Sequence, residues 1–266
     1  MNWRRISAVL CVAAFFVALA SPALAVKYVA LGDSYSSGTG TRTFYESNCQ
    51  RSVTAYPYLL RNAHPTWTFV NATCSGARTS DLINTQAPSV TADTNWVTYT
   101  IGGNDAGFSS VITTCAQPSW ASNCDGAINT AQSYIQNTLP GRLDLVNNAI
   151  KSRAPSAKVI VLGYPRLFNG TDCNALTWFS GSEMTRLNQT ADQLRNVISA
   201  AASRAGANFV FRDVIPAFVG HAVCDGGGGS STEWINGLSN PVGESYHPKV
   251  SGHASGYYPA VKAVTG

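Results

Sequence analysis

Residues 31–40 read LGDSYSSGTG. They follow Lys27–Leu31, a short run rich in β-formers. Gly32, Asp33 and Ser34 therefore fall in the turn that ends a strand. A serine in a glycine-bearing turn invites comparison with the G-x-S-x-G pattern. Gly32 and Ser34 fit it, but Ser36 stands where the second glycine belongs. The role of Ser34 has to be read from the rest of the chain.

Four further runs resemble the first. Trp67–Asn71, Trp96–Ile101 and Asn208–Arg212 read as strands, and Lys158–Leu162 (KVIVL) is the clearest. A continuous apolar run of that kind suits a parallel strand buried on both faces. Helical patterns lie between the strands. Tyr56–Ala63 reads as a short helix. Ile128, Ala131, Ile135 and Leu139 share a face; Pro140-Gly141 interrupts, and Leu143, Val146 and Ile150 resume. Ser182 is positioned to cap a helix carrying Met184, Leu187, Ala191, Leu194, Val197 and Ile198. Strands alternating with helices argue for one α/β unit, a parallel five-stranded sheet covered on both faces. Gly226–Gly229, four glycines in a row, reads as a surface loop rather than a boundary. In such sheets ligands bind beyond the carboxyl ends of the strands, so the strand-to-helix loops are where chemistry is expected.

Arg4 and Arg5, the apolar run Ile6–Leu19 and Ala23-Leu24-Ala25 have the layout of an export signal. Residues 1–25 are read as that signal and 26–266 as a single domain of a secreted protein. Losing two arginines and no acid lowers the formal charge from +4 to +2. That is too little to suggest nucleic acid as a partner. Cys11 lies in the signal, leaving Cys49, Cys74, Cys115, Cys124, Cys173 and Cys224. An even count in an exported chain reads as three disulfides, with 15 pairings open. Nearest-neighbour pairing, 49–74, 115–124 and 173–224, is the simplest. No C-x-x-C occurs and no acidic cluster stands out, so neither a zinc nor a calcium site is expected.

Four loops carry polar residues suited to chemistry: Gly32-Asp33-Ser34, Cys74-Ser75-Gly76-Ala77, Gly102-Gly103-Asn104-Asp105 and Glu244-Ser245-Tyr246-His247-Pro248. Singly, each is ordinary turn chemistry. In this order, with the first three after successive strands, they resemble the four blocks of the SGNH, or GDSL, hydrolase family of esterases and lipases. The resemblance spans essentially the whole mature chain. GDSYSSG, the six cysteines and SYHP are most similar to its secreted actinobacterial lipase, esterase and phospholipase A1 branch.

That resemblance implies a three-layer α/β/α sandwich of the flavodoxin-like type. It implies Ser34 as nucleophile and His247 as its base. It also implies an oxyanion hole of the Ser34 and Gly76 N–H groups and the Asn104 side-chain amide. The chemistry agrees. A serine needs a base at neutral pH, and histidine has a suitable pKa. A residue without Cβ, such as Gly76, lets its backbone approach a substrate closely. Many family members place an aspartate three residues before the histidine, a position held here by Glu244. The SYHP branch instead orients its histidine with a backbone carbonyl two residues before it, which would be Ser245. A Ser34–His247 dyad with Ser245 as orienter is expected, and a triad through Glu244 is its competitor. Asp33 and Asp105 are expected to hold their loops. His64 and His221 are read as surface or loop residues, and His253 as a packing residue.

The expected function is hydrolysis of carboxylic esters, including lipid acyl esters and phospholipids, without a cofactor. The partner is an ester or lipid substrate, with transient contact to a lipid surface, and the protein is expected to be a monomer. A carbohydrate O-acetyl esterase is the alternative, and a secreted binding module is the non-enzymatic one. Tyr35, Phe44, Phe108, Trp178 and Phe179 are candidates for an acyl pocket, though each is equally an ordinary core aromatic.

Overall fold

The computed structural model describes residues 25–266. The expected export signal lies, apart from Ala25, outside the described residues. Among the described residues, seven strands form two sheets: β1 (Lys27–Ala30), β2 (Phe44–Glu46), β3 (Arg51–Ser52), β4 (Thr68–Asn71), β5 (Thr94–Tyr99), β6 (Lys158–Leu162) and β7 (Phe209–Arg212). The central sheet has the order β4-β1-β5-β6-β7, and every pairing in it is parallel. The strands sit where the apolar runs predict. The third begins two residues earlier than its run and ends at Tyr99, where pairing gives way to the loop.

The register stacks Phe69, Tyr28 and Trp96 across β4, β1 and β5. Val159, Ile160, Val161 and Leu162 of β6 are buried, as expected of a central parallel strand. The helices are α1 (Ser34–Ser37), α2 (Tyr56–Ala63), α3 (Thr79–Asp81), α4 (Phe108–Cys115), α5 (Cys124–Asn137), α6 (Leu139–Arg153), α7 (Gly181–Ala205) and α8 (Tyr258–Thr265). α4, α5, α6 and α7 pack against one another, and α2 packs against α8. These two groups flank the sheet in the expected α/β/α layering.

Two helix starts differ in detail from the sequence reading. α7 is capped by Ser180, not Ser182. Ser180 Oγ accepts the Glu183 N–H at 3.2 Å, and Glu183 Oε2 accepts the Ser180 N–H at 2.8 Å. This is a reciprocal capping box, so Ser182 already lies in the first turn. Leu139 opens α6 rather than closing α5, and Pro140 sits in the first turn, where no N–H is needed.

The disulfides join Cys49 to Cys74, Cys115 to Cys124 and Cys173 to Cys224. Such bonds typically contribute about 2–4 kcal/mol each by restricting the unfolded chain. The first ties the β2–β3 hairpin to the loop after β4. The third anchors one end of the Gly226–Gly229 loop.

The strand order reverses between β1 and β5. β1 connects outward to β4, and the chain then returns to β5 on the other side. This is the switch point at which open α/β sheets bind ligands. Pairing continues past both strands, with Leu31 N–H on Thr98 C=O at 2.9 Å and Asp33 N–H on Thr100 C=O at 3.1 Å. Gly32 lies in this extension at φ +120°. A Cβ there would stand 2.4 Å from the Thr100 carbonyl oxygen. Only glycine lets the chain turn towards Ser34 while still pressed against β5. Gln86 completes the hold, its side chain pairing with both the N–H and the C=O of Gly32 at 2.6 and 3.0 Å.

Candidate active site

Ser34 opens α1, a single buried turn. Asp33 caps that turn. Its Oδ1 accepts the Tyr35 N–H at 3.0 Å and the Thr100 hydroxyl at 2.7 Å, and its Oδ2 accepts the Tyr164 hydroxyl. Burial pushes the Asp33 carboxyl up to about 6, partly offset by these three donors. Asp33 therefore fixes the orientation of the turn, its carboxylate engaged by Tyr35, Thr100 and Tyr164.

His247 arrives from far along the chain. Its loop is pinned at several points. Tyr246 N–H donates to Asn236 C=O and Asn236 N–H to His247 C=O, both at 2.9 Å. Tyr35 donates its hydroxyl to Tyr246 C=O at 2.6 Å. The result brings His247 Nε2 to 2.8 Å from Ser34 Oγ, while Nδ1 lies 2.9 Å from Ser245 C=O. A carbonyl can only accept. Nδ1 must therefore carry the proton, and Nε2 presents its lone pair to the serine hydroxyl. The Glu244 carboxylate faces elsewhere. Its Oε2 accepts from Arg42 Nε at 2.5 Å, and Arg42 Nη2 also donates to Asn240 C=O at 2.9 Å. Burial pulls the imidazole down to about 4, partly offset by the Ser245 carbonyl. His247 is thus neutral at pH 7.

The remaining two loops stand at the neighbouring strand ends. Gly76 follows β4 at φ +82°, with open space where a Cβ would be. Neither its N–H nor that of Ser34 donates to a backbone carbonyl among the described residues. Asn104 follows β5 and donates one amide hydrogen to Ala77 C=O at 3.0 Å. An amide NH₂ has two. Asp105 accepts the N–H and hydroxyl of Thr79. Asn104 and Asp105 thereby fasten the loop after β5 to the loop after β4, so Asp105 holds its loop as expected.

Ser34 and Asn104 share a slot that runs between α4, α5 and α7. Its cavity volume is about 60 Å³. Val111, Ile112, Ile135, Leu187 and Leu194 line it. Among the candidate aromatics, Tyr35 and Phe108 line the slot and the other three do not. Phe179 is buried against Phe168, and Trp178 is exposed. The helix faces that the periodicity marks as buried are, in part, the slot wall. Tyr164 is a polar slot residue that the sequence motifs do not mark, since it lies in a loop with no motif of its own.

The other histidines are accounted for. His64 stacks on Trp67, and His221 stacks on Trp234 and contacts Thr232 C=O. His253 is fully buried and accepts the Tyr56 N–H through Nδ1.

Residues 30–254 match the GDSL-like Lipase/Acylhydrolase family. The chain belongs to that family. Carboxylic ester hydrolysis, the chemistry of the family, is therefore its enzyme class. This GDSL-family hydrolase is 44% identical over 246 residues to Lipase 1 of Streptomyces coelicolor, covering 91% of this chain and 88% of the relative. Among solved structures it is similar to an extracellular lipase from Streptomyces rimosus, with a TM-score of 0.82 and 41% identity. It is also similar to a phospholipase A1 from Streptomyces albidoflavus, with a TM-score of 0.82 and 40% identity. Each comparison covers 90% of this chain and 99% of the other.

Proposed function

We propose that this hydrolase is an exported lipase-type esterase that releases long acyl chains from lipid esters through an acyl-enzyme on Ser34. One observation carries the reading. The Ser34 hydroxyl is 2.8 Å from a neutral histidine nitrogen, and Ser34 lines an apolar slot. Export is supported by the signal-like N-terminus and by the extracellular relative.

In the proposed reaction, Ser34 Oγ attacks the ester carbonyl carbon while His247 Nε2 takes its proton. The carbonyl oxygen becomes an oxyanion, stabilised by the Ser34 and Gly76 N–H groups and the free amide hydrogen of Asn104. The C–O bond to the alcohol then breaks, and His247 returns the proton to the leaving alkoxide. Water then attacks the acyl carbon and gives its proton to His247; the bond to Ser34 Oγ breaks, His247 returns the proton to that oxygen, and the fatty acid departs. Throughout, Ser245 C=O holds Nδ1–H and keeps Nε2 aimed at the reacting oxygen. The acyl chain lies in the slot among Val111, Ile112, Leu187 and Leu194.

The test is hydrolysis of p-nitrophenyl esters from acetate to palmitate, together with phosphatidylcholine. Rising kcat/KM with chain length, abolished by Ser34→Ala, is expected. Preference for acetate would instead favour a carbohydrate O-acetyl esterase. No turnover on any ester would leave a binding module.

A further inference from the structure

Tyr164 occupies an unusual place between the loops. It follows β6 and is buried at 7% exposure. Its hydroxyl donates to Asp33 Oδ2 and accepts the Gly103 N–H at 3.3 Å. Asp33 immediately precedes Ser34, and Gly103 immediately precedes Asn104. One oxygen atom therefore joins the residue before the serine to the residue before the amide. The direction of the bonds is fixed by inventory. A phenol has one hydrogen, and the ionised carboxylate can only accept, so the lone pairs remain for Gly103.

The ring makes separate contacts. It stands edge-on to Tyr35 with centroids 5.0 Å apart, and it lines the slot. A Cβ on Gly103 would meet it at 3.4 Å. Ring and hydroxyl thus serve different purposes. The ring shapes the wall that an acyl chain touches, and the hydroxyl ties two loops together.

We propose that Tyr164 is a positioning residue for ester hydrolysis, its hydroxyl setting the distance between the Ser34 turn and the loop that presents Asn104. This rests on the Ser34–Asn104 reading above. An oxyanion donor works only where the charge develops, so a small displacement weakens the transition state more than the bound substrate. Removing the hydroxyl leaves the slot wall in place and frees the Gly103 N–H and Asp33 Oδ2 from each other.

The experiment is a double-mutant cycle on the full mature chain. Tyr164→Phe, Asn104→Ala and the pair are assayed on a soluble ester, with active sites counted by a fluorophosphonate. Tyr164→Phe is expected to lower kcat about ten- to a hundredfold with KM within about twofold, the size of a misplaced group. In the Asn104→Ala background the same change is expected to lower kcat less than about threefold, because the residue acts through Asn104. Equal losses in both backgrounds, a change confined to KM, or no loss at all would each overturn the proposal. Should Tyr164→Phe not fold, Asp33→Asn probes the strut from its other end. Its loss must likewise shrink in the Asn104→Ala background, and an additive loss overturns the proposal. Hydrolysis that survives Ser34→Ala is a separate result, which removes the nucleophile assignment itself.

Discussion

His247 Nδ1 lies 2.9 Å from the Ser245 carbonyl oxygen, while the carboxylate of Glu244, one residue earlier, is turned to Arg42. A carbonyl fixes the imidazole tautomer without supplying a full negative charge. Glu244 instead joins the histidine loop to Arg42 on the loop after α1. Glu244→Gln is therefore expected to keep kcat within about tenfold. Replacing a true triad carboxylate by its amide costs about 10⁴ in the serine protease case. Steady-state kinetics on a soluble ester separate the two, and a loss of the larger size would make Glu244 a member of a triad.

Burial sets the pH response. The imidazolium form is disfavoured, so His247 stays neutral, and able to take the Ser34 proton, down to about pH 4. The main loss of activity comes as pH falls through that value. The acid limb of kcat/KM, which reports the free enzyme, is expected near 4 rather than at the ordinary histidine value. A smaller inflection near 6 belongs to Asp33, and Asp33→Asn should remove it. A single limb at 6.5 would contradict the burial argument.

Asn104→Ala removes the proposed side-chain donor to the oxyanion and little of the slot. A loss of about 100- to 1,000-fold in kcat is expected, with KM nearly unchanged. A rise in KM at constant kcat would mean that Asn104 binds substrate and transition state equally.

Ala191 lies on α7 in the slot wall. Ala191→Phe fills space that the proposed function assigns to a long acyl chain. Palmitate hydrolysis is expected to fall at least about tenfold relative to acetate, the scale of 1–3 kcal/mol per misfitted methylene. Equal effects on both esters would place the acyl chain elsewhere.

Much of this architecture is legible in the residues themselves. KVIVL announces a buried parallel strand, and the three cysteine pairs follow chain proximity. Ser34, Gly76, Asn104 and His247 are recognisable by their block order. What the order of blocks does not reveal is how loops far apart in sequence meet. The contact of Tyr164 with Asp33 spans 131 residues, and that of Arg42 with Glu244 spans 202. Neither Tyr164 nor Arg42 sits in a motif. The slot was hidden for a different reason. Ala131, Ile135, Leu187 and Leu194 have the periodicity of any buried helix face, and hydrophobic spacing does not distinguish a packed face from one that leaves room for an acyl chain. The Ser182 cap shows a local limit, since Ser180 and Ser182 both suit the position and only the partnership with Glu183 decides.

The proposed chemistry depends on Ser34 as the nucleophile and His247 as its base. The most direct test is peptide mapping by mass spectrometry after reaction with a fluorophosphonate. One adduct is expected, on Ser34. It should be absent in Ser34→Ala and form more slowly by at least about a thousandfold in His247→Ala, as for paired residues that act as a unit. An adduct on another residue, or labelling of His247→Ala at the wild-type rate, would contradict the account.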